Sequence, residues 1–267
     1  MVDPIVFAVP ARHNPRLQAV VERINHDDEL RQLWRCGNLN VLNRPDLGDS
    51  GEVHVHIVAN AALKLLRLIR DAGHPTAAVA RHRLTPEEAE VIVVLAAAVH
   101  DLGLAVHTEP AQAAGANLVL ADRKCRELLD GIYPLRERTI VVAECLHAVT
   151  SLEPGAGCGS LEASLVKLAD ALDLAKGRGR LAPSAFEAAG GANAAAGVEE
   201  VVIERSKSPP VRIVIRLSQL SGREAVEARL RHGLRGVHLA GVVEVVAELG
   251  DRPGAGRLPV TIWDNQG

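Results

Sequence analysis

The sequence predicts a mainly α-helical bundle followed by a small α/β domain, on three observations. Through the first two thirds of the 267 residues, apolar positions recur at helical spacing. Beyond residue 197 they alternate in short β-branched runs, the pattern of strands. Between the two lies an Ala/Gly-rich stretch without any period, which reads as a linker. The expected division is a helical domain over 1–181, the linker over 182–197 and the α/β domain over 198–267.

The elements follow in order. Residues 15 to 36 hold helical spacing up to a break at Gly37, and 38–51, rich in Asn, Gly, Pro and Asp, reads as loop or broken helix. From His54 to Asp71, the positions Val58, Ala62, Leu65, Leu66 and Ile69 mark a helix. Thr85-Pro86-Glu87-Glu88 supplies an N-cap, a proline at the first helical position and a capping-box glutamate. The helix it starts runs through VIVVLAAAV, apolar so broadly that it must be buried nearly all round. It delivers His100-Asp101 and ends near Gly103. Further helices are expected at about 109–130, 136–149 and 160–176, the last with Ser160 as N-cap. VEEVVIERS, VRIVIRLS, a helix-like 221–233 and VVEVVAEL then give a β-β-α-β order.

Composition narrows the function. Apolar residues make up 48%, but only two Phe, one Tyr and two Trp are aromatic, so a surface that stacks bases is not expected. The net charge of −3 leaves no global footprint for polyanions, which argues against long nucleic acid as a partner. Cys36, Cys125, Cys145 and Cys158 show no CxxC pairing and read as reduced thiols of a cytoplasmic protein. The longest apolar run, Val91 to Val99, is too short to span a bilayer, so no membrane association is expected.

Five histidines, His54, His56, His100, His107 and His147, fall in or beside the helices between 54 and 150. Singly, each suits a surface or a hydrogen-bonded core; the ordered set is more specific. HVHIVANAA at 54–62, LAAAVHDLG at 95–103 and LVKLADALDLAKGRGR at 165–180 together give His, then His-Asp after an apolar helix, then Asp in a late helix. In this order and helical context the chain resembles the HD superfamily of metal-dependent phosphohydrolases, over about residues 38–180. It looks closest to archaeal-type HD proteins with a C-terminal α/β extension.

The resemblance implies a metal held by His54, His100, Asp101 and Asp170. It separates His54 from His56 because the family's Val-Ala stands four and five residues after its first His, as Val58-Ala59 do here. It likewise selects Asp170 over Asp173, which periodicity alone leaves open. Imidazole nitrogen with carboxylate oxygen suits divalent Mn, Fe, Co, Ni or Zn, and Mg less well. The implied reaction is hydrolysis of a phosphate ester by water activated on the metal, with Asp101 in the catalytic set. The expected substrate is a nucleotide, cyclic nucleotide or other small phosphorylated metabolite.

Other candidates carry two readings each. His107 and His147 would hold a second ion, contact substrate phosphate or merely line the cleft; Glu144, three residues before His147, has the spacing either to bind metal with it or to orient it. Lys176, Arg178 and Arg180 are either a phosphate clamp or cations favoured at a helix C-terminus, and Asn40 and Arg44 are weaker clamp candidates. Two-metal relatives place a His four residues before an early Gly or Ser in the next helix. Here Ala111 stands four before Gly115, and Asp49-Ser50-Gly51 replaces their Asp-His-Gly, so one ion is expected. Two other functions stay open: a regulatory metal- and nucleotide-binding module of the same fold without turnover, and a di-iron oxygenase. The C-terminal unit shows no site of its own; a homodimer is one assembly open to it.

Overall fold

A computed structural model describes residues 5–41, 51–108, 110–153, 155–174, 197–250 and 257–263. The chain is mainly α, with a small α/β unit at its C-terminal end.

The helical part opens with α1 (Pro15–His26) and α2 (Asp28–Val41). The break predicted at Gly37 falls instead at Asp27, whose carboxylate accepts from Leu30 N at 2.8 Å and starts the second helix. α2 runs on through Gly37 to Val41, because Gly37 faces Leu104 at a distance that just admits a methyl group. Next come α3 (Glu52–Asp71) and the short α4 (Ala77–His82), capped by Thr76 and unforeseen in the sequence. α5 (Pro86–Val99) begins with the capping box of Thr85 and Glu88. Every residue of α5 from Glu88 to Val99 is buried, as its all-round apolar character requires.

A 3-10 turn (Leu102–Ala105) follows, then α6 (Pro110–Leu129), α7 (Leu135–Thr150) and α8 (Leu161–Ala171). α8 is capped by Ser160 and stops five residues short of the predicted 176. α3, α5 and α8 pack against one another, and α7 lies against both α5 and α8. Their shared core is aliphatic, dominated by Leu, Val, Ile and Ala. Among the described residues no helix is long and apolar enough to cross a membrane.

The α/β unit holds β1 (Val198–Arg205), β2 (Val211–Leu217), α9 (Arg223–Gly233), β3 (Val243–Leu249) and β4 (Leu258–Pro259). They form one sheet in the order β1-β2-β3-β4, with β2 and β3 parallel and the outer pairs antiparallel. α9 makes the crossover that a parallel pair needs. The unit sits against α3 and α8. At one point the approach is so close that only glycine fits: Gly236, at φ +78°, has no room for a Cβ, which would lie 2.9 Å from Gly157 Cα.

Candidate metal centre

Three helix ends meet on one side of the bundle. His54 lies in the first turn of α3, His100 is the C-cap of α5 with Asp101 next, and Asp170 is in the last turn of α8. Helix ends are where a neighbouring pair such as His100-Asp101 can converge, because Asp101 has left the α-helical backbone (φ −114°, ψ 12°).

The side chains close on a common point. His54 Nε2 lies 3.1 Å from His100 Nε2, 3.3 Å from Asp170 Oδ1 and 3.7 Å from Asp101 Oδ2. His100 Nε2 lies 3.4 Å from Asp101 Oδ2 and 3.8 Å from Asp170 Oδ1. Ligand atoms of His54, His100 and Asp170 all fall within 4.8 Å of one another. Asp101 is near both nitrogens without joining that mutual set. Both imidazoles are buried, while Asp101 and Asp170 are about a third exposed, so the point is open on its carboxylate side.

The imidazole protons are fixed by what lies behind each ring. His54 Nδ1 donates to Asp173 Oδ2 at 2.7 Å, and His100 Nδ1 donates to the Ala97 carbonyl at 2.8 Å. Neither partner can donate in the ionised or carbonyl form, so each ring carries a proton on Nδ1, and in the neutral ring an Nε2 lone pair then faces inward. Two such lone pairs 3.1 Å apart repel unless a cation lies between them. Neighbouring ligands about 2.1 Å from one ion would stand roughly 3.0–3.4 Å apart, and the shorter separations here match that. The group can therefore hold a metal ion.

The turn that presents His100 and Asp101 is held from two sides. Asn117 of α6 donates to the His100 carbonyl, and its own carbonyl accepts from Gly103 N at 3.0 Å. Trp34 Nε1 donates to the Ala98 carbonyl at 2.8 Å. Asn40 donates to the Leu104 and Ala105 carbonyls, so it fastens α2 to the 3-10 turn.

Several candidates stand elsewhere. His56 Nε2 donates to the Ala8 carbonyl, 2.6 Å away, outside the cluster. Asp173, weighed in sequence as an alternative ligand, orients His54 from behind. His147 Nε2 accepts from Gly159 N at 3.2 Å, and Glu144 pairs with His82 at 2.8 Å, so these two have separate partners. His107 is exposed and is not among the mutually close ligand atoms. Arg44, Lys176, Arg178 and Arg180 lie outside the described residues.

Sequence reading missed Asn117, Trp34 and Glu153. A polar residue on a mixed helix face gives no signal that it clamps a backbone turn 14 to 17 residues away. Glu153 comes just after α7, and both burial and the charge of Asp101 push its carboxyl above the ordinary glutamate value.

Comparison with known proteins adds a relative without a function. The chain is 25% identical over 232 residues to an uncharacterized protein of Methanocaldococcus jannaschii, covering 86% of this chain and 88% of that protein. No family model matches the chain, and no solved structure matches it.

Proposed function

We propose that this chain is a metal-dependent phosphohydrolase of the HD type, acting on a small phosphate ester such as a nucleotide or cyclic nucleotide. One observation carries the reading: two buried imidazoles aim their Nε2 atoms at a point that two partly exposed carboxylates also face. His54, His100, Asp101 and Asp170 would hold the ion. Mn, Fe, Co, Ni or Zn suits this nitrogen and oxygen set. When bound, such an ion acidifies water and polarises a phosphoryl oxygen.

The chain's own residues supply the rest. Asp173 and the Ala97 carbonyl keep both imidazoles in the ligating tautomer, and Asn117 holds the His100–Gly103 turn in place. The exposed edges of Asp101 and Asp170 leave room for water and substrate beside the ion, as a catalytic site requires. Lys176, Arg178 and Arg180, following α8 in sequence, are the candidates to meet substrate phosphate.

The test has two parts. Elemental analysis of purified protein should find a divalent transition metal in wild type and its loss in Asp101→Ala. A panel of nitrophenyl mono- and diesters, nucleotides and cyclic nucleotides should show turnover that a chelator abolishes. Metal retained without turnover of any ester would leave the regulatory module as the better reading. Equal metal in wild type and mutant would refute the ligand assignment itself.

A further inference from the structure

Two clefts adjoin in the C-terminal third, one walled wholly by the α/β unit and one where that unit meets the helical part. One, about 460 Å3, is walled by Arg231, Arg235, His238 and Trp263. The other, about 360 Å3, is walled by Arg81, Ser160 and again His238, so the two adjoin. Both volumes fall within the ~300–1,000 Å3 of small-molecule sites. None of the four metal-centre residues lines either cleft.

Their charge is of one sign. Among the described residues the clefts are lined by three arginines and a histidine, and by no Asp or Glu. In a chain of net charge −3, this is a local reversal that favours an anion. Two of the arginines are anchored: Arg81 donates to the Gly159 carbonyl, and Arg231 to Glu227 and the Thr261 carbonyl. Arg235 is exposed, and no described carboxylate pairs with it. Its guanidinium stays charged at any working pH and has its donors available.

The aromatic wall narrows the anion. Trp263 donates its Nε1–H to the Val243 carbonyl at 3.0 Å, which fixes the indole beside those cations. Leu234 and Ile262 extend the apolar part of the same wall. A guanidinium that matches phosphate oxygens beside a fixed aromatic ring is the pairing that recognises a phosphorylated nucleoside. We propose that the cleft binds a nucleoside phosphate, with the phosphate on Arg235 and His238 and the base against Trp263. The site is separate from the metal centre, and the inference holds whether or not that centre hydrolyses esters.

The chain has two tryptophans, Trp34 and Trp263, and Trp34 is buried in the helical part. Trp34→Phe therefore leaves Trp263 as the sole reporter. Titration of this variant with AMP, in the presence of chelator, should quench its fluorescence saturably. Arg235→Glu and His238→Glu, both at exposed positions, should each weaken binding at least tenfold, whereas Asp101→Ala should leave it unchanged. Ribose 5-phosphate and adenosine, each lacking one half of the ligand, should bind at least tenfold more weakly. The proposal is overturned if AMP does not saturate up to millimolar concentration, or if Arg235→Glu binds it as wild type does. It is equally overturned if Asp101→Ala abolishes binding, which puts AMP at the metal centre, or if inorganic phosphate binds as tightly as AMP. Should Trp34→Phe fail to fold, calorimetry on the protein with both tryptophans reads the same affinities.

Discussion

Asp173 illustrates how one side chain can govern a site it does not enter. It accepts the Nδ1 proton of His54 and so decides which nitrogen of that ring is free to ligate. Asp173→Ala should therefore lower metal affinity by about 10–100-fold, with Asp173→Asn intermediate, as measured by metal titration; an unchanged affinity would sink the role. Glu90 governs stability in a comparable way. Buried in α5, it takes two hydrogen bonds from Arg67, at 2.9 and 3.0 Å, and one each from Arg70 and Asn14. Burial alone would raise its carboxyl, but the bonds from Arg67 and Asn14 hold it down to about 2. A group that binds its proton more weakly when folded contributes stability above its ordinary value of 4.5, and that contribution drains away as pH falls from 4.5 towards 2. Glu90→Gln should cost roughly 2–3 kcal/mol near neutral pH, and its urea denaturation midpoint should vary less over that acidic window than wild type. The ligand-type residues were legible as an ordered set, because His and Asp at helix ends in an apolar context are conspicuous. The groups behind them were not: Ala97 acts through its carbonyl, which no sequence pattern announces, and Asn117 looks like any polar residue on a helix.

At the scale of elements, the capping box at Thr85, the cap at Ser160 and the alternation in the last third were readable because each is a local signal. Two boundaries misled for lack of one. Gly37 reads as a breaker, but it serves close packing against Leu104; α4 is only six residues long, too short to show a period. The sheet carries a pattern visible only once strands are paired. On its outer face, Arg212, Val214 and Arg216 of β2 stand between Glu204, Val202 and Glu200 of β1 and Glu244, Val246 and Glu248 of β3. Arginine on the middle strand with glutamate on both neighbours rewards a single register, since a slip would set charge against valine. The 3-10 turn after His100-Asp101 depends on a comparable fit. A methyl group on Gly103 would overlap the Ala113 carbonyl and come within 2.7 Å of Asn117 Cβ. Gly103→Ala should thus destabilise by about 1–3 kcal/mol and weaken metal binding as well, because the turn and the ligand pair move together. Thermal unfolding and metal titration of one sample would show both losses; a stable variant with normal metal affinity would contradict the account.

For the whole molecule, the centre ties three separate helices through one point, so an ion that binds only the folded chain must stabilise all of them. A free concentration a hundredfold above Kd adds about 2.7 kcal/mol, which should appear as a raised Tm in wild type and not in Asp101→Ala. Calorimetric titration with Mn or Ni should show a single tight step per chain. His147 is engaged with Gly159 and His107 is not among the mutually close ligand atoms, which leaves a second ion poorly provided for among the described residues. Two steps of similar affinity would return both histidines to the ligand set. The same layout has a consequence in time. His54 and the carboxylate that orients it are 119 residues apart. At ~5–20 residues per second, His54 leaves the ribosome's catalytic centre roughly 6–24 s before Asp173 is added. During that interval the ligand set lacks Asp170 and the carboxylate that orients His54, so the complete centre cannot template the bundle until α8 has been made. Loading is a step for the finished chain, and cells starved of the metal should still accumulate folded apoprotein ready to be filled.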